Sequence, residues 1–367
     1  MTSPTVFVTG STGFVGRWLV LDLLRQSQHV IVLLRSPAGL DEMKEWVAAK
    51  GVDAARLTAV RGDLTAPDLG LDVASLKRLQ STRDVFHVAG RYAFGLSRQQ
   101  AYDANVLGTL ALAHLASRWP DLRCFVHVSG YRVAEKLPSG RPTRGTLDGL
   151  YAKLGSYEAS KVEADAAVRT FAREVALPLA VVAPGVVIGD AATGETNQMF
   201  GVVDVFRDLA DGTLRALPGG RNTFVPLVAV DHLAHFLAAM PNLSAPHPST
   251  YTMLDSATPP FHELIRHAAS RLGVHAPKVA LPVSLLRRLP QRLTGAEPEA
   301  LSFLSTDRYD THATDQALRQ LNIAAPPILE AFDHWLDYLV AANFGRQTTS
   351  RAGGAAGIAH QRTFGGT

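Results

Sequence analysis

Residues 5–16 read Thr-Val-Phe-Val-Thr-Gly-Ser-Thr-Gly-Phe-Val-Gly, and Arg17-Trp18-Leu19-Val20-Leu21-Asp22-Leu23-Leu24 follow. The apolar run Val6-Phe7-Val8 predicts a short buried strand, and the segment after Gly16 has the character of a helix. Strand, glycine turn and helix in this order make a site for a dinucleotide pyrophosphate. Gly10 permits the tight turn, Gly13 lets the backbone approach the phosphates, and Gly16 allows helix and strand to pack closely. Ser11, Thr12, Phe14 and Val15 complete the candidate phosphate loop, because the free N–H groups of a helix start favour an anion.

A chain of 367 residues can bury a large core and accommodates a nucleotide-binding domain with a smaller lobe. A hydrophobic content of 47% with 19% charged residues is that of a globular protein. The net charge of +3 comes largely from scattered arginines, so no nucleic-acid stripe is expected. Cys124 is the single cysteine, which excludes an internal disulfide and a cysteine zinc cluster and suits a reducing compartment. No metal site is expected. No signal pattern precedes the first strand, and the longest apolar stretch, Leu179–Gly189, carries Pro184 and is too short to cross a bilayer. The expectation is a soluble, cytoplasmic protein.

The second strand, His29–Leu34, ends on Arg35. An acidic residue there would accept from the adenosine ribose of NAD, whereas an arginine fork suits the 2′-phosphate of NADP. Arg35, with Arg17 as a second guanidinium or a surface charge, favours NADPH. After a polar helix, Asp41–Ala49, the strand Leu57–Val60 leads to Gly62-Asp63-Leu64, where Asp63 faces the adenine amino group or caps a turn. Asp84–Val88 reads as another buried strand ending in His87-Val88-Ala89-Gly90; the small residues let the cofactor approach, and His87 fits a packed core histidine better than a ligand. A helix over Gln99–Arg118 contains Asn105, a poor helix former that either serves a water-mediated proton path or makes a kink or local hydrogen bond. The strand Cys124–Val128 ends in Ser129-Gly130. Tyr157-Glu158-Ala159-Ser160-Lys161 opens a helix to about Glu174, and i, i+4 spacing puts Tyr157 and Lys161 on one face. An ammonium beside a phenol lowers the phenol pKa from roughly 10 and makes it a usable acid. The strand Leu179–Ala183 then brings Pro184, Gly185 and Val187 to the nicotinamide end.

These pieces together resemble the extended short-chain dehydrogenase/reductase superfamily. TGSTGFVG, the Arg35 strand end, GDL, HVAG, NVLGT, YEASK and APGVVIG occur in its order over residues 5–189. A weaker match runs through Val225–Leu237 and Tyr251–Leu254. Within the superfamily the chain is most similar to the fatty-acyl and carrier-bound thioester reductases, on TGFVGR, Gly62–Leu71 (GDLTAPDLGL) and the segment His87…Phe94. The resemblance implies an α/β doubly wound parallel sheet, a Rossmann fold, with a small, mostly helical C-terminal substrate lobe. Residues 1–189 and 225–255 would bind NADP, residues 190–224 and 256–345 would form the lobe, and 346–367 a flexible tail.

The resemblance also implies a mechanism: hydride passes from NADPH to a carbonyl carbon, Tyr157 gives the proton, and Lys161 tunes the tyrosine and holds the nicotinamide ribose. Relatives carry a second hydroxyl where Gly130 stands. Three readings follow: Ser129 orients and polarises the substrate oxygen, the tyrosine works without a hydroxyl partner, or the chain is a non-catalytic NADP-binding regulatory protein. A nucleotide-sugar epimerase or dehydratase is the competing enzyme; Arg35, and Ala183 in place of an arginine, count against it. The substrate expected is an acyl thioester, on CoA or a separate carrier protein, or a hydrophobic aldehyde or ketone. A homodimer through the helices after Gln99 and Tyr157 is implied by the resemblance alone. In the lobe, Thr193–Gly212 reads as a helix with Met199, Phe200, Val203, Phe206 and Leu209 as a core stripe or an acyl pocket. Phe261–Leu272 and Ile328–Leu339 are further amphipathic helices, and Leu285–Leu293 is a basic, apolar segment that suits a solvated helix face or, at most, peripheral contact with a membrane or acidic carrier.

Overall fold

In the computed structural model, residues 5–91, 95–133, 136, 142–244, 247, 250–286 and 304–346 are described. Phe94, most of the basic segment 285–293 and the tail 347–367 lie outside the described residues. Seven strands make the central sheet: β1 (Thr5–Thr9), β2 (His29–Leu34), β3 (Leu57–Arg61), β4 (Thr82–His87), β5 (Cys124–Val128), β6 (Leu179–Pro184) and, from later in the chain, β10 (Tyr251–Met253). They are all parallel, in the order β10-β6-β5-β4-β1-β2-β3. Sequence expectation and structure agree on this doubly wound sheet.

The strands read as apolar runs because both faces are covered. Val6 and Val8 point into the core that contains Trp18, Leu19, Phe236 and Leu237, from the helices α1 (Phe14–Arg25) and α9 (Val230–Ala239). Phe7, between them, points the other way, into the core with Leu112 and Phe171 from α5 (Gly108–Ala116) and α7 (Ser156–Val175). This is the period-two alternation of a strand, and each such side chain contributes about 1.5–3 kcal/mol on burial. Strand order reverses at β1, whose neighbours are β2 on one side and β4 on the other. The crevice at the carboxyl ends of β1 and β4 is where a doubly wound sheet binds its ligand.

A third core lies in the C-terminal lobe, around Phe206. Its ring meets Phe261, Phe332 and Trp335 at centroid distances of 6.2, 5.2 and 5.7 Å. The lobe departs from the sequence reading in two ways. Helix α8 covers only Val202–Ala210, not Thr193–Gly212. The chain before it turns through Gly194 (φ +70°) and Gly201 (φ +79°), conformations a continuous helix cannot contain. Val203, Phe206 and Leu209 are core, whereas Phe200 is exposed and Met199 packs beside Gly345. In addition, the helix His312–Leu321, expected in the lobe, packs on the sheet side. Ala317 joins the core of α1 and α9, and Thr314 donates to the Thr252 carbonyl at 2.9 Å. Among the described residues no helix is long and apolar enough to cross a membrane.

Candidate active site

The glycine turn is closed by the Gly13 N–H donating to the Gly10 carbonyl at 3.0 Å. Gly10 has φ +76°, and a Cβ there would lie 2.5 Å from the Ala89 nitrogen. A Cβ on Gly16 would lie 2.1 Å from the Gly10 oxygen, so any side chain at either position would push the turn apart. Helix α1 then opens at Phe14 with no acidic residue in its first turn and no side-chain cap. Its first N–H groups are therefore free for an anion. Ser11 Oγ is buried and has no hydrogen-bond partner among the described residues. An orphaned buried donor beside an uncapped helix start fits a dinucleotide pyrophosphate.

Arg35, the candidate for the adenosine end, is exposed just past β2. Asp63 Oδ1 accepts from the Thr65 N–H at 2.9 Å and its hydroxyl at 2.8 Å. The Thr65 N–H above all, aided by the Thr65 hydroxyl and Arg35, holds the Asp63 carboxyl below its usual range despite partial burial. The turn-capping role for Asp63 is thus present in the structure. Leu64 packs beneath Gly108, where a Cβ would stand 3.1 Å from its own. Arg17 does not sit as a second free guanidinium. It stacks on the Trp46 ring at 4.9 Å, its Nε is buried and unpartnered among the described residues, and Glu195 is a charged neighbour. Glu195 itself accepts from Trp46 Nε1 at 3.0 Å and pairs with Lys50, which ties α2 (Ala38–Ala49) to the loop before α8.

At the other end of the crevice, Tyr157 and Lys161 lie one turn apart on α7. Lys161 Nζ donates to the Val128 carbonyl at 3.0 Å and stands 3.6 Å from where a Gly90 Cβ would be. Burial pushes its pKa down to about 8, with Asp165 acting against the shift. Pro184 and Gly185 flank the same opening, the Pro184 carbonyl accepting from the Tyr131 N–H at 3.2 Å and the Gly185 N–H donating to Met253 at 2.9 Å. Val88 continues β4, its N–H on the Thr9 carbonyl, and Val187 is half-buried in the short pair β7 (Val186–Ile188) and β9 (Leu227–Ala229).

Ser129 is near this opening, but its hydroxyl points inward and donates to Asp165 Oδ2 at 2.6 Å. Asp165 also pairs with Arg169, whose Nη2 reaches Thr250 at 2.9 Å. A hydroxyl carries one proton, and here it is spent on a buried carboxylate. The expected role of Ser129 as donor to a substrate oxygen is not available in this arrangement; its bond fastens α7 to β5. Helical spacing puts Asp165 one turn past Lys161, but nothing local in the sequence joins it to Ser129, 36 residues earlier.

Asn105 lies in a π-helical stretch, Tyr102–Leu107, between α4 (Arg98–Ala101) and α5. Its Oδ1 accepts from the Arg91 N–H at 2.8 Å, and its Nδ2 donates to Ser160 Oγ at 2.9 Å. Ser160 in turn donates to the Tyr157 carbonyl at 2.8 Å. The kink and hydrogen-bond alternative therefore describes Asn105, in a site type where π-bulges recur. The Asn105 carbonyl accepts from the Thr109 hydroxyl at 2.6 Å. With that proton spent, Thr109 Oγ must accept from His87 Nε2–H at 2.8 Å, and the bare Nδ1 accepts from Thr9 at 2.8 Å. His87 is thus a neutral core histidine. His127 stacks on it at 5.5 Å with no partner for either nitrogen among the described residues. Beside Tyr157, buried Glu158 is held by Arg132 at 3.1 Å and by Lys136. Nothing local in the sequence pairs Glu158, on α7, with these two residues, which lie in the segment after β5.

A family model described as "Male sterility protein", one of NAD-binding domains, matches residues 8–237. The chain belongs to this family. Its members include extended short-chain dehydrogenase/reductases of the thioester-reductase branch, and the resemblance read from the motifs holds. The isonitrile lipopeptide synthase of Mycobacterium tuberculosis (strain ATCC 25618 / H37Rv) is 32% identical over 220 residues, 53% of this chain but only 9% of that protein. The fatty acyl-CoA reductase wat of Drosophila melanogaster is 26% identical over 276 residues, 64% of this chain and 53% of its own length. The chain thus spans from under a tenth to about half of these relatives. The crystal structure of the terminal R domain from the myxalamid PKS-NRPS biosynthetic pathway superposes with a TM-score of 0.75 at 22% identity, covering 94% of this chain and 92% of that one, which shows the fold.

Proposed function

We propose that this protein is an NADPH-dependent reductase of a carbonyl, with an acyl thioester, carried on CoA or on a separate carrier protein, or a hydrophobic aldehyde or ketone as substrate. The observation that carries the reading is Lys161 on the same helix face as Tyr157, its ammonium anchored on Val128 beside the open Gly90 floor. The relatives named as a fatty acyl-CoA reductase and as a lipopeptide synthase support the acyl class.

In this reading the Gly10–Gly16 turn and the start of α1 hold the pyrophosphate, and Arg35 takes the 2′-phosphate. The reduced nicotinamide, when bound, supplies a hydride to the carbonyl carbon. Tyr157 gives its hydroxyl proton to the oxygen, so the carbonyl gains one hydride and one proton. Lys161, charged below about pH 8, favours the resulting phenolate and holds the ribose. Asn105 and Ser160 fix the Tyr157 backbone.

The test is loss of reduced-nicotinamide absorbance with a long-chain acyl-CoA beside a matched aldehyde. Consumption that disappears in Tyr157→Phe while NADPH still binds is expected. Tight NADPH binding with no consumption of either substrate would favour the regulatory reading that Gly130 suggests.

A further inference from the structure

Carbonyl reduction places growing negative charge on one oxygen, and an acid on one side of it leaves room for a second donor. Ser129 cannot supply that donor, because its proton is held by Asp165. Gly130, the next residue, has no hydroxyl, but it has an N–H. The N–H groups on either side of it are spoken for: Ser129 donates to the Val182 carbonyl at 2.8 Å and Tyr131 to the Pro184 carbonyl at 3.2 Å, both on β6. The ladder therefore continues past β5 through residue 131. In an extended strand successive N–H groups point to opposite edges, so that of Gly130 points away from β6, toward β4. Val128, two residues earlier and of the same parity, directs its carbonyl to that edge, where it meets Lys161 Nζ. Beyond the end of β4 on this edge lie Ala89 and Gly90, and Gly90 borders Lys161. Among the described residues the Gly130 N–H meets no acceptor, while its carbonyl accepts from Val133 at 2.9 Å.

We infer that the main-chain N–H of Gly130 is the second donor to the substrate carbonyl oxygen, beside the Tyr157 hydroxyl of the proposed reaction. The inference rests on the reductase reading above and adds a catalytic group to it. A backbone donor needs no rotamer and stays aimed by the two β6 bonds that flank it, which is how preorganised oxyanion sites work.

The position tolerates substitution. A Cβ on Gly130 would meet only Val133 Cγ2, at the ordinary contact distance of 3.6 Å. One comparison is Gly130→Pro, which removes the N–H and sets a Cδ where it pointed, against Gly130→Ala, which keeps it. The extended Ser129 before it is compatible with proline. With NADPH affinity equal in the two variants, kcat should be about 10²–10³-fold lower for proline, the usual effect of losing one oxyanion donor. Equal kcat in two folded, NADPH-binding variants overturns the inference. Because the proline Cδ crowds the oxygen's place as well as removing the donor, Gly130→Ser decides between the two causes, and decides alone if the proline variant does not fold. With a donor already present, serine should change kcat by less than about tenfold relative to alanine, whereas a gain of about 10²–10³-fold would mean that the site had lacked one. A wild-type chain that consumes no NADPH with either substrate overturns the reductase reading itself, and the inference with it.

Discussion

Replacing His127 by phenylalanine should stabilise this protein, and increasingly so as pH falls. His127 is 1% exposed, its ring stacks on His87 with an interplanar angle of 22°, and neither nitrogen has a partner among the described residues. Phenylalanine keeps the ring and removes two buried polar atoms, worth about 1–3 kcal/mol at neutral pH. Burial first, and then the charges of Lys161 and Arg169, hold the His127 pKa well below its ordinary value. Below about pH 6.5 the unfolded chain therefore takes up a proton that the native state refuses. Stability contributed by the neutral ring is present above that pH and is lost on acidification at about 1.4 kcal/mol per pH unit. His87 is held down in the same way, and burial brings His232 to about 4. Three such residues make the wild type lose roughly 4 kcal/mol per unit, against a total stability of about 5–15 kcal/mol. Urea unfolding followed by tryptophan fluorescence, at about pH 8, 6 and 5, measures the difference between wild type and variant. It should widen by about 1–2 kcal/mol between the first and last. A gap that is constant across the three, or a destabilised variant, would refute the argument.

Two further expectations concern the crevice. Arg35→Glu should weaken NADPH relative to NADH by about 10–100-fold, the value of a lost charge-assisted contact plus repulsion, as read from the ratio of the two dissociation constants; an equal loss for both cofactors would remove Arg35 from the 2′-phosphate. Lys161 loses its charge near pH 8, so NADPH-dependent turnover should fall up to about tenfold per unit above that pH, and a rate that stays flat to about pH 10 would show that the ammonium is not required.

Local pattern suffices for some of these features and not for others. The glycine turn was legible because each of its constraints lies within a few residues: Gly13 bonds Gly10, and Gly16 touches it. The same holds for Tyr157 and Lys161, whose common face follows from helical spacing. The alternation of apolar strands with helices predicts the parallel sheet, since a strand covered on both faces must be apolar throughout. The false helix at 193–201 arose because an apolar period of 3.6 does not reveal that glycines at 194 and 201 adopt positive φ.

What the sequence by itself determined, then, is the architecture, the glycine turn and the common helix face of Tyr157 and Lys161, because these depend on spacing along the chain. The tertiary structure alone decided how protons and charges are allotted. It gives the Ser129 proton to Asp165, 36 residues away, and leaves the Gly130 N–H with no acceptor among the described residues. It joins His87 to Thr9 and Thr109, and lays Arg17 on Trp46. A side chain's chemistry depends on which partner fills its hydrogen-bonding capacity, and that partner comes from another strand or loop, at a distance only the folded chain sets.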